Sequence, residues 1–275
     1  MPEGPEVKRI TNRLNKFFAG RELTTIDFYD ENYRAKQVRN DVDDFVASLP
    51  VKVESVKCKG KFIYWTMDNG FVIFHTLGMS GTWRIQNKAP RHGRLSFQRD
   101  DGKLIHYKDY RRFGTFKVLN PDIAGKELMT KLEKALGPDI LNEEVSFDLW
   151  AERFRKVNHY NITKAMMHQK VVAGIGNYIK AEALYIAKIS PHRFVHELSD
   201  EELKRLYDAS LWVIKASYDA RGATIRDYEM PDGTKGDYKF KFKVYSQRKD
   251  PLGYRVIKEA TADGRTTHWV AEVQV

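Results

Sequence analysis

The most reactive groups this sequence offers stand at its start, which reads Met-Pro-Glu-Gly-Pro-Glu-Val. A small residue at position 2 ordinarily permits removal of the initiator methionine, which would expose Pro2 as a secondary amine. An α-amino group titrates near ~8, against ~10.4 for a lysine side chain, so a useful fraction is neutral and nucleophilic near neutral pH. A secondary amine that adds to C1′ of a sugar forms an iminium, a fixed cation that serves as an electron sink. Glu3 adjoins it as a candidate general acid/base, and Glu6 follows three residues on. A second reading of the same segment is a helix start, in which Pro5 takes the first helical position and Glu6 complements the helix dipole. That reading accounts for residues 4–6 and leaves the proline at position 2 unexplained.

Few other residue types offer chemistry by themselves. The single cysteine, Cys58, excludes an intramolecular disulfide and a four-cysteine metal set. It lies in VESVKCKGKFIYW, which alternates like a strand, and reads as a half-buried inert thiol. Lys and Arg total 47 against 37 Asp and Glu, a formal charge of +10. A polyanion would gain from that field and from counterion release, although a merely basic protein carries the same charge.

The heptapeptide MPEGPEV resembles the N-terminal signature of the formamidopyrimidine-DNA glycosylase and endonuclease VIII family. The resemblance implies that the processed proline attacks C1′ of a damaged nucleotide and that the adjacent glutamate protonates the ribose ring oxygen. Carried onto this sequence, Pro2 is the nucleophile, Glu3 the acid/base and Glu6 a supporting carboxylate. Lys61, in CKGKFIYW, matches the family's strand lysine that reaches toward the damaged nucleotide and its phosphate; taken alone it is a solvated strand lysine. Leu77-Gly78-Met79-Ser80-Gly81 resembles the loop whose methionine fills the hole left by a flipped base, a task suited to a flexible, polarizable side chain. By itself Met79 reads equally as a core residue. Thr76 precedes this loop where the family usually has histidine, and His75, one place earlier, faces the other side of the strand.

The same resemblance extends to the C-terminus. Asp109-Tyr110-Arg111-Arg112-Phe113-Gly114 is similar to the intercalation loop, with Arg111 bonding the orphaned base and Phe113 as the wedge. Residues 161–191 resemble the family's helix–two-turns–helix. There Gly174 and Gly176 interrupt the helical pattern, and Asn177 is expected to cap a new helix whose first amides form an anion site. The correspondence puts Asn177 on the DNA phosphate backbone, while His168, where the family commonly has an acid, is not read as catalytic. Residues 222–233 resemble the entry to a loop over the flipped base, with Thr224, Arg226 and Tyr238 as lid residues; a plain connector has the same composition. Many family members end in a four-cysteine zinc finger. Here the second cysteine pair is replaced by Val270-Ala271-Glu272-Val273, and the first falls at residues 252–255 without cysteine. A zincless finger follows as the expectation, with apolar residues in place of the metal and Arg265 gripping the phosphates beside the lesion. His268 alone makes no metal site, and neither metal nor organic cofactor is expected.

These residues need elements to hold them. Residues 5–19 carry Val7, Ile10, Leu14, Phe17 and Phe18 at helical spacing, closed by Gly20. Short strands follow at VKVESVKC, KFIYWTM, GFVIFHTL, SGTWRI, GRLSFQR, KLIHYKD and GTFKVL, which predicts a β-sandwich. Helical periodicity runs over 125–136, 146–155, 161–168, 177–187 and 199–220, the last opened by a Ser199–Glu202 capping box. Strand pattern returns in YKFKFKVYS, YRVIKEA and TTHWVAEVQV. The fold class is α+β in two lobes, divided as a sandwich over 1–125, a helical domain over 126–237 and a finger hairpin over 238–275. No apolar run reaches 18 residues and no signal peptide is visible, so an intracellular monomer is expected, in the cytoplasm or nucleoid of a bacterium or the nucleus of a eukaryote.

The resemblance implies a DNA glycosylase/AP lyase acting on double-stranded DNA with damaged bases or abasic sites, through an N-terminal Schiff base and β,δ-elimination. The Met79, Arg111 and Phe113 set leans toward 8-oxoguanine and formamidopyrimidines, whereas the zincless end leans toward oxidised pyrimidines such as thymine glycol. A non-catalytic damage-sensing DNA-binding protein shares the charge and the helical motif. An RNA-binding protein is the third reading, against which the duplex plug set stands.

Overall fold

The computed structural model describes residues 2–220 and 242–275, which group into two compact units. The described part of the first holds Pro2 and residues 6–132; that of the second holds residues 3–5, 133–220 and 242–275. The sequence-proposed lid residues Thr224, Arg226 and Tyr238 lie outside the described residues.

Helix α1 (Gly4–Phe18) opens the chain. Its helically spaced Val7, Ile10, Leu14, Phe17 and Phe18 are all buried, and Gly20, at φ 78°, turns the chain out of the helix. Then follow β1 (Glu22–Phe28), α2 (Glu31–Gln37), β2 (Val38–Asn40), α3 (Val42–Ala47), β3 (Val51–Lys59), β4 (Phe62–Met67), β5 (Val72–Thr76), β6 (Gly81–Ile85), β7 (Gly93–Arg99), β8 (Leu104–Asp109) and β9 (Thr115–Leu119). Hydrogen bonding runs in the order β2-β9-β5-β4-β3-β1-β7-β8-β6. Only two residue pairs, Glu22↔Lys52 and Leu23↔Val51, join β1 to β3. On either side of that junction the layers face each other: Trp65 of β4 lies 5.4 Å from Phe97 of β7, ring to ring, and 5.8 Å from Trp83 of β6. This is the β-sandwich of an α+β chain. Strands β3 to β9 stand where the short runs between turn residues put them. The elements between 22 and 47 were not foreseen individually: β1 buries only Leu23 fully, and α2 and α3 are too short to display a helical period.

The helical unit has α5 (Phe147–Arg155), α6 (Ile162–Met167), α7 (Asn177–Ala187) and α8 (Asp200–Asp219). Before it, α4 (Pro121–Thr130) starts four residues ahead of the expected 125, because Asn120 caps it and Pro121 fits the first turn. It continues as a π-helical turn over Lys131–Ala135. The Ser199–Glu202 capping box of α8 is formed in both directions, at 2.9 and 3.2 Å. Strands β10 (Ile257–Ala260) and β11 (Thr266–Trp269) make the finger hairpin and are shorter than the alternating patterns at 254–260 and 266–275. Among the described residues no helix is long and apolar enough to cross a membrane.

Candidate active site

Pro2 is buried, and Glu3 and Glu6 are 2% and 0% exposed. The Glu3 carboxylate accepts the backbone N–H groups of Tyr178, at 2.9 Å, and Ile179, at 3.2 Å, in the first turn of α7. Those amides have no partner within the helix, and the helix dipole favours a negative charge beside them. The anion at this helix start is therefore the chain's own carboxylate, 175 positions away in sequence. Gly176 makes room for it, and Gly4 lets the chain start approach the turn before α7. A Cβ on Gly176 would stand 2.2 Å from Cδ of Glu3, and one on Gly4 would meet the Gly174 backbone at 3.3 Å. Gly4 N–H donates to the Gly174 carbonyl at 3.0 Å, and Gln169 shapes the turn beneath by accepting from Gly174 N–H and donating to the Ile175 carbonyl.

The cap expected from Asn177 is not formed. Gly176 occupies the cap position, and the Asn177 amide instead donates to the Thr266 carbonyl of the finger at 2.9 Å. With the helix amides already satisfied by Glu3, the Asn177 side chain is available to the hairpin.

In the sandwich, Met79 is half-buried at the tip of the β5–β6 connection, and Arg111 and Phe113 are exposed, Phe113 by 50%. The Arg111 guanidinium lies 5.1 Å over the Phe113 ring. Both loops are fastened by Asp109, a fully buried residue that sequence reasoning passed over. Its carboxylate accepts the Ser80 hydroxyl at 2.6 Å and the N–H groups of Arg111 and Gly114 at 3.2 and 2.8 Å. Gly78, at φ 61°, lets the loops touch, since a Cβ there would lie 2.6 Å from Gly114 N. Behind them Arg94 binds the Asp109 carbonyl and the Asp30 carboxylate. His75 belongs to the core: it accepts from Trp83 Nε1, its Nδ1 faces the Thr115 carbonyl, and burial pushes its pKa down to about 3. Lys61 was read as a strand residue; it occupies the turn between β3 and β4, half-buried, beside Gly60 at φ 57°.

Helix α7 also organises the finger. Its Glu182, fully buried, accepts the amides of Lys243, Val244 and Tyr245 at 2.8–2.9 Å. Tyr185 donates to Asp250 at 2.9 Å, and Asp250 in turn accepts from Leu252 and Tyr254 N–H. Val244, Val256 and Val270 pack on Ala181 and Tyr185, with Val273 against them. Valines thus fill the second cysteine-pair position. At the first, Leu252 and Tyr254 are 69% and 43% exposed, so the core is completed by Val244 and Val256 instead. Arg265 is exposed at the hairpin turn. His268 is buried, and desolvation with the nearby Lys258 and Lys180 charges lowers its pKa to about 4. Among the described residues no three His, Cys, Asp or Glu side chains gather as a metal set. Glu182 and Lys180 had a sequence signal: NYIKAEALYIA is apolar nearly all round, and charges inside such a helix are buried and must be partnered.

Three family models match the chain in succession: the formamidopyrimidine-DNA glycosylase N-terminal domain over residues 1–116, its H2TH domain over 136–229 and its C-terminal domain over 231–275. The formamidopyrimidine-DNA glycosylase of Listeria monocytogenes serotype 4b (strain F2365) is 30% identical over 280 residues, covering all of both chains. A structure of MutM in complex with DNA containing carbocyclic 8-oxo-G superposes with TM-score 0.85 at 26% identity over 99% of each chain. A Lactococcus lactis FPG mutant bound to Fapy-dG-containing DNA gives the same TM-score, identity and coverage.

Proposed function

Since this chain belongs to the formamidopyrimidine-DNA glycosylase family along its whole length, and is with it a DNA glycosylase of base excision repair, we propose that it is bifunctional, removing a damaged base and then nicking the strand. The observation that carries this reading is the Glu3 carboxylate, locked by two helix amides directly beside Pro2. Once Met1 is removed, the Pro2 nitrogen adds to C1′ of an everted nucleotide as the bond to the base breaks. The Glu3 carboxylate takes up the proton that the Pro2 nitrogen sheds on bonding and passes it to the ribose ring oxygen, which opens the sugar and leaves an iminium between Pro2 and C1′. A base takes a C2′ proton, the C–H electron pair flows into the iminium, and the enamine so formed expels the 3′ phosphate; a second elimination expels the 5′ phosphate, and water hydrolyses the iminium to release Pro2. Glu6 supports this centre and Lys61 meets the nucleotide's phosphate. Met79, Arg111 and Phe113, stitched together by Asp109, fill the gap in the duplex, and Asn177 and Arg265 hold the backbone.

Borohydride trapping on an abasic-site duplex tests the chemistry. The native protein should give a covalent adduct and Pro2→Gly a much weaker one; no adduct with the native protein removes the lyase step. An intact mass that retains Met1 favours the non-catalytic damage-binding reading. For the lesion we read oxidised and ring-opened purines, supported by the plug set and by the relatives' complexes with 8-oxo-G and Fapy-dG DNA. Parallel excision assays decide, and a strong preference for thymine glycol over 8-oxoguanine overturns that assignment.

A further inference from the structure

Resting on the reading of Arg265 as a phosphate contact, we propose that Lys180 and Asp263 are positioning residues that set Arg265 on the DNA backbone. Their side chains are 0% and 2% exposed, and Nζ of Lys180 lies 2.5 Å from Oδ2 of Asp263. The other oxygen of Asp263 accepts the Thr261 hydroxyl at 2.6 Å and the Arg265 N–H at 3.3 Å. One carboxylate therefore shapes the hairpin turn, fixes the backbone of the arginine and joins both to α7. Asn177, one helical turn before Lys180, adds a second bond from the same helix to the Thr266 carbonyl, on the far side of Arg265. Arg265 is thus bracketed by two ties to the helix start that holds Glu3.

A buried lysine needs such a reason to persist. Burial lowers its pKa against the opposing pull of Asp263, and an ion pair out of water is weak evidence for stability taken alone. What it supplies here is geometry. Lys180 cannot itself reach a phosphate, because no part of its side chain meets solvent. Any effect of the pair on DNA binding must pass through the turn and its exposed arginine.

Binding to a duplex carrying a tetrahydrofuran abasic analogue tests this, read as the slope of log affinity on log salt. Arg265→Ala should lower the slope by about 0.9, so that the affinity ratio between about 50 and about 200 mM salt shrinks about threefold. The charge-conserving pair Lys180→Met/Asp263→Asn should lower it equally, and should lower it no further when Arg265→Ala is already present. A pair that is only structural lowers the melting temperature and leaves the slope intact; that result overturns the inference while sparing the phosphate role, as does a further loss in the triple variant. A native slope in Arg265→Ala removes the phosphate role and this inference with it. Should the pair variant not fold, the near-isosteric Asp263→Asn carries the same comparison with the same outcomes.

Discussion

Gly176 is confined by distance more than by backbone angle: any side chain there meets Glu3. Gly176→Ala should displace the carboxylate from the two amides and lower the excision rate about a hundredfold or more, toward the cost of losing a general acid. Glu3→Gln should cost about 10²–10⁴-fold in the rate constant under single-turnover conditions, while an abasic duplex remains bound. Excision by either variant at the native rate contradicts the assignment. The proposed reactive segment was legible because the residues that suggest it are local: a proline, a glutamate and a helix start lie within six residues. Its anchor was not, because the amides that hold Glu3 belong to backbone at positions 178 and 179, and backbone donors carry no residue signature.

The loops of Met79 and of Arg111 and Phe113 are joined by Asp109, which satisfies donors from both. Asp109→Ala leaves the buried Gly114 N–H and the Ser80 and Arg111 donors without their acceptor, and should cost about 2–4 kcal/mol in urea unfolding. Affinity for a duplex with a missing base should fall with it, and an unchanged urea midpoint contradicts the stitching role. The finger makes a different prediction. Its interior is Val244, Val256 and Val270, so prolonged treatment with a zinc chelator should leave both excision and melting temperature unchanged; a loss of either would reveal a metal in the native protein. Strands of the sandwich were legible as short runs set between turn residues such as Asp68-Asn69-Gly70 and Asp100-Asp101-Gly102, and α8 from its capping box. Short β2, α2 and α3 were not, since too few residues recur to mark a period. Nor was the cap of α7, where Asn177 matched the usual residue type while Glu3 supplied the bonds.

Across the chain, acid should weaken the fold through buried imidazoles, His75 and His268 foremost. His75 and His268 hold their pKa values near about 3 and about 4, below the unfolded value of about 6.5. As pH falls through about 6.5 the unfolded chain takes up protons there and the native chain does not, so stability is present above that pH and is progressively lost down to the folded values. Between about pH 7 and about pH 5 each histidine removes about 2 kcal/mol, measurable as a lower urea midpoint; equal midpoints contradict the burial of neutral rings. Composition made the basic surface plain, but not these two groups, whose burial depends on the Trp83 and Phe116 rings around one and the finger core beneath the other.

The valine core of the finger has a consequence for where such a protein can work. A finger held by metal–thiolate bonds is open to peroxide, which oxidises the sulfur and ejects the ion. Val244, Val256, Val270 and Val273 present nothing for that reagent to attack, and the lone Cys58 sits elsewhere, partly covered, in a strand. The hairpin that carries Arg265 therefore offers peroxide no metal–thiolate bond to break.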